Sequence, residues 1–232
     1  VGTQDHPFTG TFEGNGKTLY VNINDTENEG TAPFREFNRL RPSGSYSTAE
    51  ARIRNLTVRG SVTGSTYAAG LVGICKAYNA YSLGEINNCT VDVNVSVPGT
   101  SADATMGGVV GYSYDAGLSI TNTTFSGTLD NKANYAGGLI GSCEYSCNFR
   151  LKNCLFKGSY KGSAANGFHP IGILGGSKVS LFSSCEFSNC FYTQDPTLTD
   201  ASNIIYSGTR VYASADDIDN DLLKKNLYEL VK

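Results

Sequence analysis

A six-residue pattern recurs along this chain and constrains its fold more than any other feature. The pattern carries Asn or Ser at its third position and an apolar residue at its first and sixth positions. Its third residues are at positions 55, 88, 122, 153 and 184, so successive copies are 33, 34, 31 and 31 residues apart. A nearly constant period over most of a chain indicates a solenoid or an array of stacked units.

A second block, which pairs two bulky apolar residues with glycines, indicates which kind of solenoid this is. Its copies are residues 69–73, 107–111, 137–141 and 171–175. Each repeat offers three short strand-like pieces separated by Gly, Asn or Ser, and it lacks the 3.6-residue periodicity of helical repeats. The chain has 27 Gly, 14 Tyr and only 17% charged residues, which also favours strands and turns. We therefore expect an all-β protein built as a parallel β-helix.

The pattern also predicts how successive turns stack. Asn tolerates the left-handed backbone, so the third position predicts a tight bend. The amides of neighbouring turns should stack, about 4.8 Å apart, as a ladder inside the solenoid that ends at Ser184. Apolar side chains should stack in two core columns. The first column is predicted to contain Val58, Val91, Phe125, Phe156 and Phe187, and the second Val62, Val95, Leu129, Tyr160 and Phe191.

The extent of the repeats predicts that the chain has two parts. Residues 1–192 should form the β-helix, with about five to six coils and a degenerate glycine block at residues 32–35. Residues 193–232 should form a C-terminal cap that contains a last strand at about 204–213 and a short α-helix at about 215–230. The helix prediction depends on a capping box at residues 214–217 and on apolar residues at near-helical spacing. Such a cap would protect the open end of a solenoid.

Charge and hydropathy exclude several classes of partner. The formal net charge is −3 and no run of Lys or Arg occurs, so we expect no nucleic-acid binding. No apolar stretch approaches the roughly 20 residues that a membrane-spanning helix needs, so this segment should not insert into a membrane. The chain starts at Val1 without a signal sequence, and we expect any secretion signal to be cleaved or to lie outside this segment. We expect a monomer or a part of a longer chain.

These motifs resemble the GLUG-motif β-helix family of bacterial surface proteins. The resemblance rests on Phe8-x-Gly-x-Phe12-x-Gly-Asn-Gly16, on Ile53-x-Asn-Leu-x-Val58-x-Gly60 and on the recurring glycine block, and it covers about residues 8–192. The family includes adhesin-like proteins of gut Bacteroidetes and the N-terminal region of IgA-specific metallopeptidases. The resemblance implies a right-handed β-helix at the cell surface, anchored to the outer membrane through a missing N-terminal signal. It implies no shared catalytic residues.

Tyrosines collect in the segments that follow the glycine blocks, namely residues 76–85, 112–119 and 142–150. Tyrosine offers a large flat apolar face and a polar tip at low entropic cost, which suits a sugar- or protein-binding surface. The alternative is that several of these tyrosines pack back onto the scaffold. The candidate ligand-binding residues, including two acids from the same segments, are Tyr78, Tyr81, Tyr112, Tyr114, Asp115, Glu144 and Tyr145.

The sequence contains no convincing catalytic or metal constellation. His6 and His169 are the only histidines and lie far apart in the repeat, which argues against a catalytic triad. Cys143 and Cys147 match no zinc signature, and they are either a short disulfide or free thiols. We therefore predict no metal and no cofactor. Asp115 and Glu144 are the best carboxylate pair for a glycoside-cleaving site.

The prediction is an adhesin-like module that binds a host or community glycan or a surface protein. Two alternatives stay open: a polysaccharide-degrading β-helix enzyme, either a lyase or a hydrolase, and a structural stalk that binds nothing. A turnover assay separates the first alternative from a binding module, and any ligand binding at all separates the second.

Overall fold

The computed structural model describes residues 1–37, 51–77, 83–99, 101–131, 135–144 and 147–162, together with short pieces at 168–169, 173–174, 182–188 and 190–192. These residues form twenty-two β-strands and no helix. Hydrogen-bonded strands run parallel to one another. The predicted cap at residues 193–232 lies outside the described residues.

The strands form three sheets, which the chain visits in a fixed order. The first sheet holds β1 (Thr11–Asp25), β4 (Arg52–Gly64), β7 (Leu83–Asn87), β8 (Thr90–Val97), β11 (Gly117–Thr121), β12 (Thr124–Phe125), β13 (Thr128–Asn131), β16 (Cys147–Lys152), β17 (Leu155–Phe156), β18 (Ser159–Gly162), β21 (Phe182–Ser188) and β22 (Phe191–Tyr192). The second holds β2 (Gly30–Thr31), β5 (Tyr67–Ala69), β9 (Thr105–Gly107), β14 (Tyr135–Gly137) and β19 (Phe168–His169). The third holds β3 (Phe34–Phe37), β6 (Val72–Lys76), β10 (Val110–Tyr114), β15 (Ile140–Glu144) and β20 (Ile173–Leu174).

The protein is therefore an all-β parallel β-solenoid, as the repeat predicted. About three turns are described, from β4 through β15, and further strands extend the sheets at both ends. The degenerate block at residues 32–35 occupies the position of a glycine block, because Phe34 pairs with Val72.

The predicted core columns are confirmed over the first four copies of the repeat. Val91 pairs with Val58 and with Phe125, and Phe125 pairs with Phe156. The rings of Phe125 and Phe156 stack with centroids 5.5 Å apart, and both side chains are fully buried. In the second column, Val95 pairs with Val62 and with Leu129, which pairs with Tyr160. Side chains of successive turns thus fill one continuous core.

The predicted alignment of the last copy is wrong. Phe187 pairs with Leu151 rather than with Phe156, and Phe191 pairs with Leu155 rather than with Tyr160. The true fifth copy is therefore residues 187–192, which have the same Phe-x-Asn/Ser-Cys pattern as residues 182–187. Five extra residues precede it. Both segments therefore fit the repeat pattern in the sequence, and only the strand pairing shows which one stacks on the preceding copy. Asn189, which lies outside the described residues, replaces Ser184 at the third position.

The left-handed bend at the Asn positions is confirmed. Asn55, Asn88, Asn122 and Asn153 have φ of 52°, 51°, 50° and 54°, and Asn15 adds a further member with φ of 52°. The Asn88 amide donates to Asn55 Oδ1 at 2.7 Å, and the Asn153 amide donates to Asn122 Oδ1 at 2.9 Å. These side chains lie on the surface rather than inside the solenoid as predicted. The left-handed residue turns its side chain outward, while the apolar residue that follows it enters the core.

Two substitutions at Asn88 should separate the contribution of the bend from that of the ladder. We expect Asn88→Ala to cost about 1–2 kcal/mol, because Ala is disfavoured at positive φ and cannot donate to Asn55. Asn88→Gly should cost less, since Gly accepts this φ and loses only the exposed hydrogen bond. Urea unfolding of both variants provides the measurement. A Gly variant that is no more stable than the Ala variant would contradict a left-handed bend at this position.

The glycine blocks form the corner between the second and third sheets. A Cβ at Gly111 would lie 2.7 Å from Gly73 O and 3.1 Å from Ala68 O, and one at Gly141 would lie 2.6 Å from Met106 O. Backbones of the two sheets and of successive turns therefore touch directly at this corner, which a larger residue would prevent. The predicted close backbone approach is confirmed, and it fixes the two sheets against each other.

Candidate ligand-binding surface

The second and third sheets also face each other on the side away from the core. Along β10 the side chains alternate, so that Ser113 points to the same side as the core cysteines and Tyr112 points to the opposite side. On that outer side the Tyr67 ring stacks on the Tyr112 ring with centroids 4.2 Å apart and planes inclined by 8°. One turn further on, Ser142 Oγ donates to Thr105 Oγ1 at 3.3 Å. The glycine corner thus brings two polar sheet faces together.

Four tyrosines on these faces form what we call the tyrosine strip: Tyr67, Tyr112, Tyr114 and Tyr135. Tyr67 and Tyr135 both pair with Thr105 in the second sheet and therefore share one face of it. The Tyr114 ring lies 6.3 Å from that of Tyr112 in the third sheet. Tyr112 is only 6% exposed and packs against the rings of Tyr67 and Tyr114, whereas the other three tyrosines are partly exposed. Their rings are available to a ligand.

Among the described residues, carboxylates outnumber basic groups around the strip. The Tyr112 hydroxyl donates to the Glu144 carboxylate. The Tyr67 phenol lies in the field of Glu144, and also of the exposed Glu29 and Asp103. Lys76, which pairs with Tyr114, lies 4.0 Å from Glu29. The surface therefore combines flat aromatic rings with hydrogen-bond acceptors that carry negative charge.

Burial keeps the tyrosine hydroxyls protonated. It raises the pKa of Tyr67 to about 12, and the neighbouring carboxylates add to the effect. Burial and the hydrogen bond to Glu144 raise the pKa of Tyr112 still further. Both phenols therefore remain neutral donors at any physiological pH.

The raised pKa of Tyr67 predicts that the protein loses stability in alkali. An unfolded tyrosine loses its proton near pH 10, whereas folded Tyr67 keeps its proton until about pH 12. Between these values the unfolded state binds fewer protons, so the free energy of unfolding should fall as the pH rises. We expect Tyr67→Phe to weaken this pH dependence of the free energy of unfolding, measured by denaturant titration. Tyr20→Phe is the control and should leave the dependence unchanged, because Tyr20 is 74% exposed. Equal slopes in both variants would contradict the prediction.

The structure brings some of the predicted ligand-binding residues together. Tyr112, Tyr114 and Glu144 meet in the strip, as described above. Asp115 is the next residue along the chain, with φ of 47°, and its amide donates to Glu144 O at 3.0 Å. Burial raises the pKa of the Asp115 carboxyl. Tyr78, Tyr81 and Tyr145 lie outside the described residues.

The described residues of the segments that follow the glycine blocks at 107–111 and 137–141 are mostly strand rather than loop. β10 continues to Tyr114 and β11 begins at Gly117, and β15 continues to Glu144 before β16 begins at Cys147. Tyr112, Tyr114 and Glu144 are therefore held by sheet hydrogen bonds rather than by loops. Their positions relative to one another are fixed by the register.

Sequence reasoning missed Tyr67 and Tyr135, although a signal was present. Each begins a Tyr-Ala step immediately before a glycine block, at residues 67–70 and 135–138. The interpretation focused on the segments after the blocks, since their lengths vary more. The parallel pairing shows that residues on both sides of a block face each other.

The six cysteines whose side chains the structure describes are free thiols: Cys75, Cys89, Cys143, Cys147, Cys154 and Cys190. Cys143 and Cys147, which the sequence left open as a disulfide or as free thiols, are both buried, and a hydrogen bond from the Cys143 thiol lowers the pKa of Cys147. Within the described ranges, no cluster of three or more His, Cys, Asp or Glu side chains has the arrangement of a metal site. The same part of the chain contains no helix with the length and hydrophobicity of a membrane span.

Comparison with known proteins identifies no relative: no family model, no curated protein and no solved structure matches this chain.

Proposed function

We propose that this chain is an extracellular binding module on a bacterial surface and that it binds a glycan through the tyrosine strip. In this proposal it is a right-handed β-helix of the GLUG type with about five to six coils and a C-terminal helical cap. The observation that carries the binding role is the rigid stack of Tyr67 on Tyr112 beside Tyr114. Aromatic rings of this kind bind the apolar faces of sugar rings, and nearby carboxylates accept hydrogen bonds from hydroxyls.

The charge around the strip narrows the class of glycan. In the part of the chain that the structure describes, Glu29, Asp103 and Glu144 lie near Tyr67, and the basic group of the strip is Lys76, which pairs with Glu29. Like charges repel across a partly buried surface, so an anionic glycan would bind at a cost. The ligand should therefore be a neutral sugar or an amino sugar that carries positive charge.

A double variant in the tyrosine strip and a control variant on the first sheet test this proposal. We expect Tyr114→Ala and Tyr135→Ala, combined in one variant, to abolish binding on a glycan array while the fold remains intact, because both side chains are only partly buried. Tyr20→Ala is the matched control, because Tyr20 is exposed on the first sheet, away from the strip. The proposal fails if the double variant binds the same glycans as the unaltered protein, or if acidic glycans bind best.

The other functions are outcomes of the same experiment. Binding to a surface protein but to no glycan would assign the strip to a protein partner. Release of reducing ends or unsaturated products from a polysaccharide panel, lost in Asp115→Asn, would indicate an enzyme instead. No ligand of either kind would favour a structural stalk.

A further inference from the structure

A column of side chains, three of them cysteines, runs along the core at the position that follows each Asn bend. Its members are Leu56, Cys89, Thr123, Cys154 and Cys190, as the register of the first sheet defines them. Thr123 separates Cys89 from Cys154, whereas Cys154 and Cys190 are direct neighbours. We infer that Cys154 and Cys190 are the site of a disulfide that joins two consecutive turns of the solenoid.

The backbone already has the spacing that such a bond requires. Leu155 pairs with Phe191 at the first residues of two parallel strands, so Cys154 and Cys190, which immediately precede them, occupy equivalent positions in consecutive turns. Strands in a sheet are about 4.8 Å apart, which lies within the 4.4–6.8 Å between Cα atoms found in disulfides. The amide of Asn153 donates to Ser188 O at 3.0 Å and fixes the register on the other side.

The two thiols differ in acidity and in access to solvent. The side chain of Cys154 favours the thiolate of Cys190 and lowers its pKa, whereas burial raises the pKa of Cys154. Cys190 is also partly exposed, while Cys154 is fully buried. Cys190 is therefore the thiol that reacts first.

A low-molecular-weight disulfide is the oxidant, and the exchange is balanced. The Cys190 thiolate attacks one sulfur of the reagent and releases one thiolate, which leaves a mixed disulfide on Cys190. Cys154 then loses its proton and attacks the Cys190 sulfur, and the second half of the reagent leaves as a thiolate. Two protein thiols are oxidised to one disulfide, and the reagent is reduced to two thiols.

The four other cysteines whose side chains the structure describes lack this combination of features. Cys89 has Thr123 as its neighbour in the column, and Cys75 pairs with Ser113. Cys143 and Cys147 are close, but both are almost fully buried, so a reagent cannot reach either sulfur without local opening. Oxidation under native conditions should therefore select the Cys154–Cys190 pair.

Peptide mapping of the full chain tests the inference. The folded protein is incubated with oxidised glutathione, the remaining thiols are alkylated in denaturant, and the protein is digested without reductant. We expect the peptides that contain Cys154 and Cys190 to be linked, and Cys89 to be alkylated. Free Cys154 beside a glutathione adduct on Cys190, or Cys154 linked to another cysteine, would overturn the inference.

A melting experiment gives a second readout. Oxidation should raise the Tm of the unaltered protein by a few degrees, and a reductant should reverse the shift, because the bond closes a long loop in the unfolded chain. Cys190→Ala should remove the shift, whereas Cys143→Ala should retain it. An equal shift in Cys190→Ala would show that another pair is responsible.

Discussion

Gly108→Ala is expected to destabilise the protein by about 3 kcal/mol or more, because the new methyl group has no space. A Cβ at Gly108 would overlap the carbonyl oxygen of Gly138 in the next turn and would lie 2.7 Å from the ring of Phe125. The carbonyl belongs to the backbone of the corner between β14 and β15, and the paired strands on both sides of it restrict its movement. Urea unfolding followed by circular dichroism measures the effect.

Two further variants make this prediction specific. Gly99→Ala is the matched control, because a Cβ at Gly99 meets no atom within 4 Å, and it should change the free energy of unfolding by less than about 0.5 kcal/mol. Adding Phe125→Ala to Gly108→Ala should not restore stability, since the clash with Gly138 remains. A similar loss in both glycine variants would show that helix or strand propensity, rather than close packing at the corner, causes the effect.

Phe125→Ala should cost about 3–5 kcal/mol. The Phe125 ring is fully buried and stacks on Phe156, and it also fills the space beside Gly108 and Gly158. These neighbours are held by strand pairing in adjacent turns, so they cannot collapse into the cavity. The free energy of unfolding, measured by denaturant titration with a shared slope, provides the test.

Phe12→Ala is the matched control for this change. Phe12 is only partly buried in the first turn, where its ring meets that of Phe34 at 5.2 Å. Phe12→Ala should reduce the free energy of unfolding clearly less than Phe125→Ala does. The same truncation at Phe12 leaves a cavity that water and neighbouring side chains can fill. Equal costs would contradict a core whose rigidity comes from stacking between turns.

The repeat made the scaffold predictable. Its period and its Asn positions predicted parallel pairing, the left-handed bends and the stacking of Val58, Val91, Phe125 and Phe156. These features repeat in every turn, so one copy supports the interpretation of the next. Periodicity did not settle the last copy, where residues 182–187 and 187–192 both fit the pattern and only hydrogen bonding distinguishes them.

The candidate site was less predictable, because it depends on how two sheets meet. The stacking of Tyr67 on Tyr112 joins residues 45 positions apart in different sheets. No local sequence pattern predicts which faces of those sheets touch, because the glycine corner determines how the two sheets meet. Tyr112 and Tyr114 were identified from their position after a glycine block, whereas Tyr67 required the three-dimensional arrangement.

The same corner has a consequence for how the molecule opens. At β9, β10 and β15 the strands are buried on both faces, whereas β1 has one face exposed to water. Amide protons in strands enclosed on both sides exchange with solvent only when a large unit opens. The amides of β1 should therefore exchange first. The amides of β9, β10 and β15 at the glycine corner should exchange last and would report the opening of the whole solenoid.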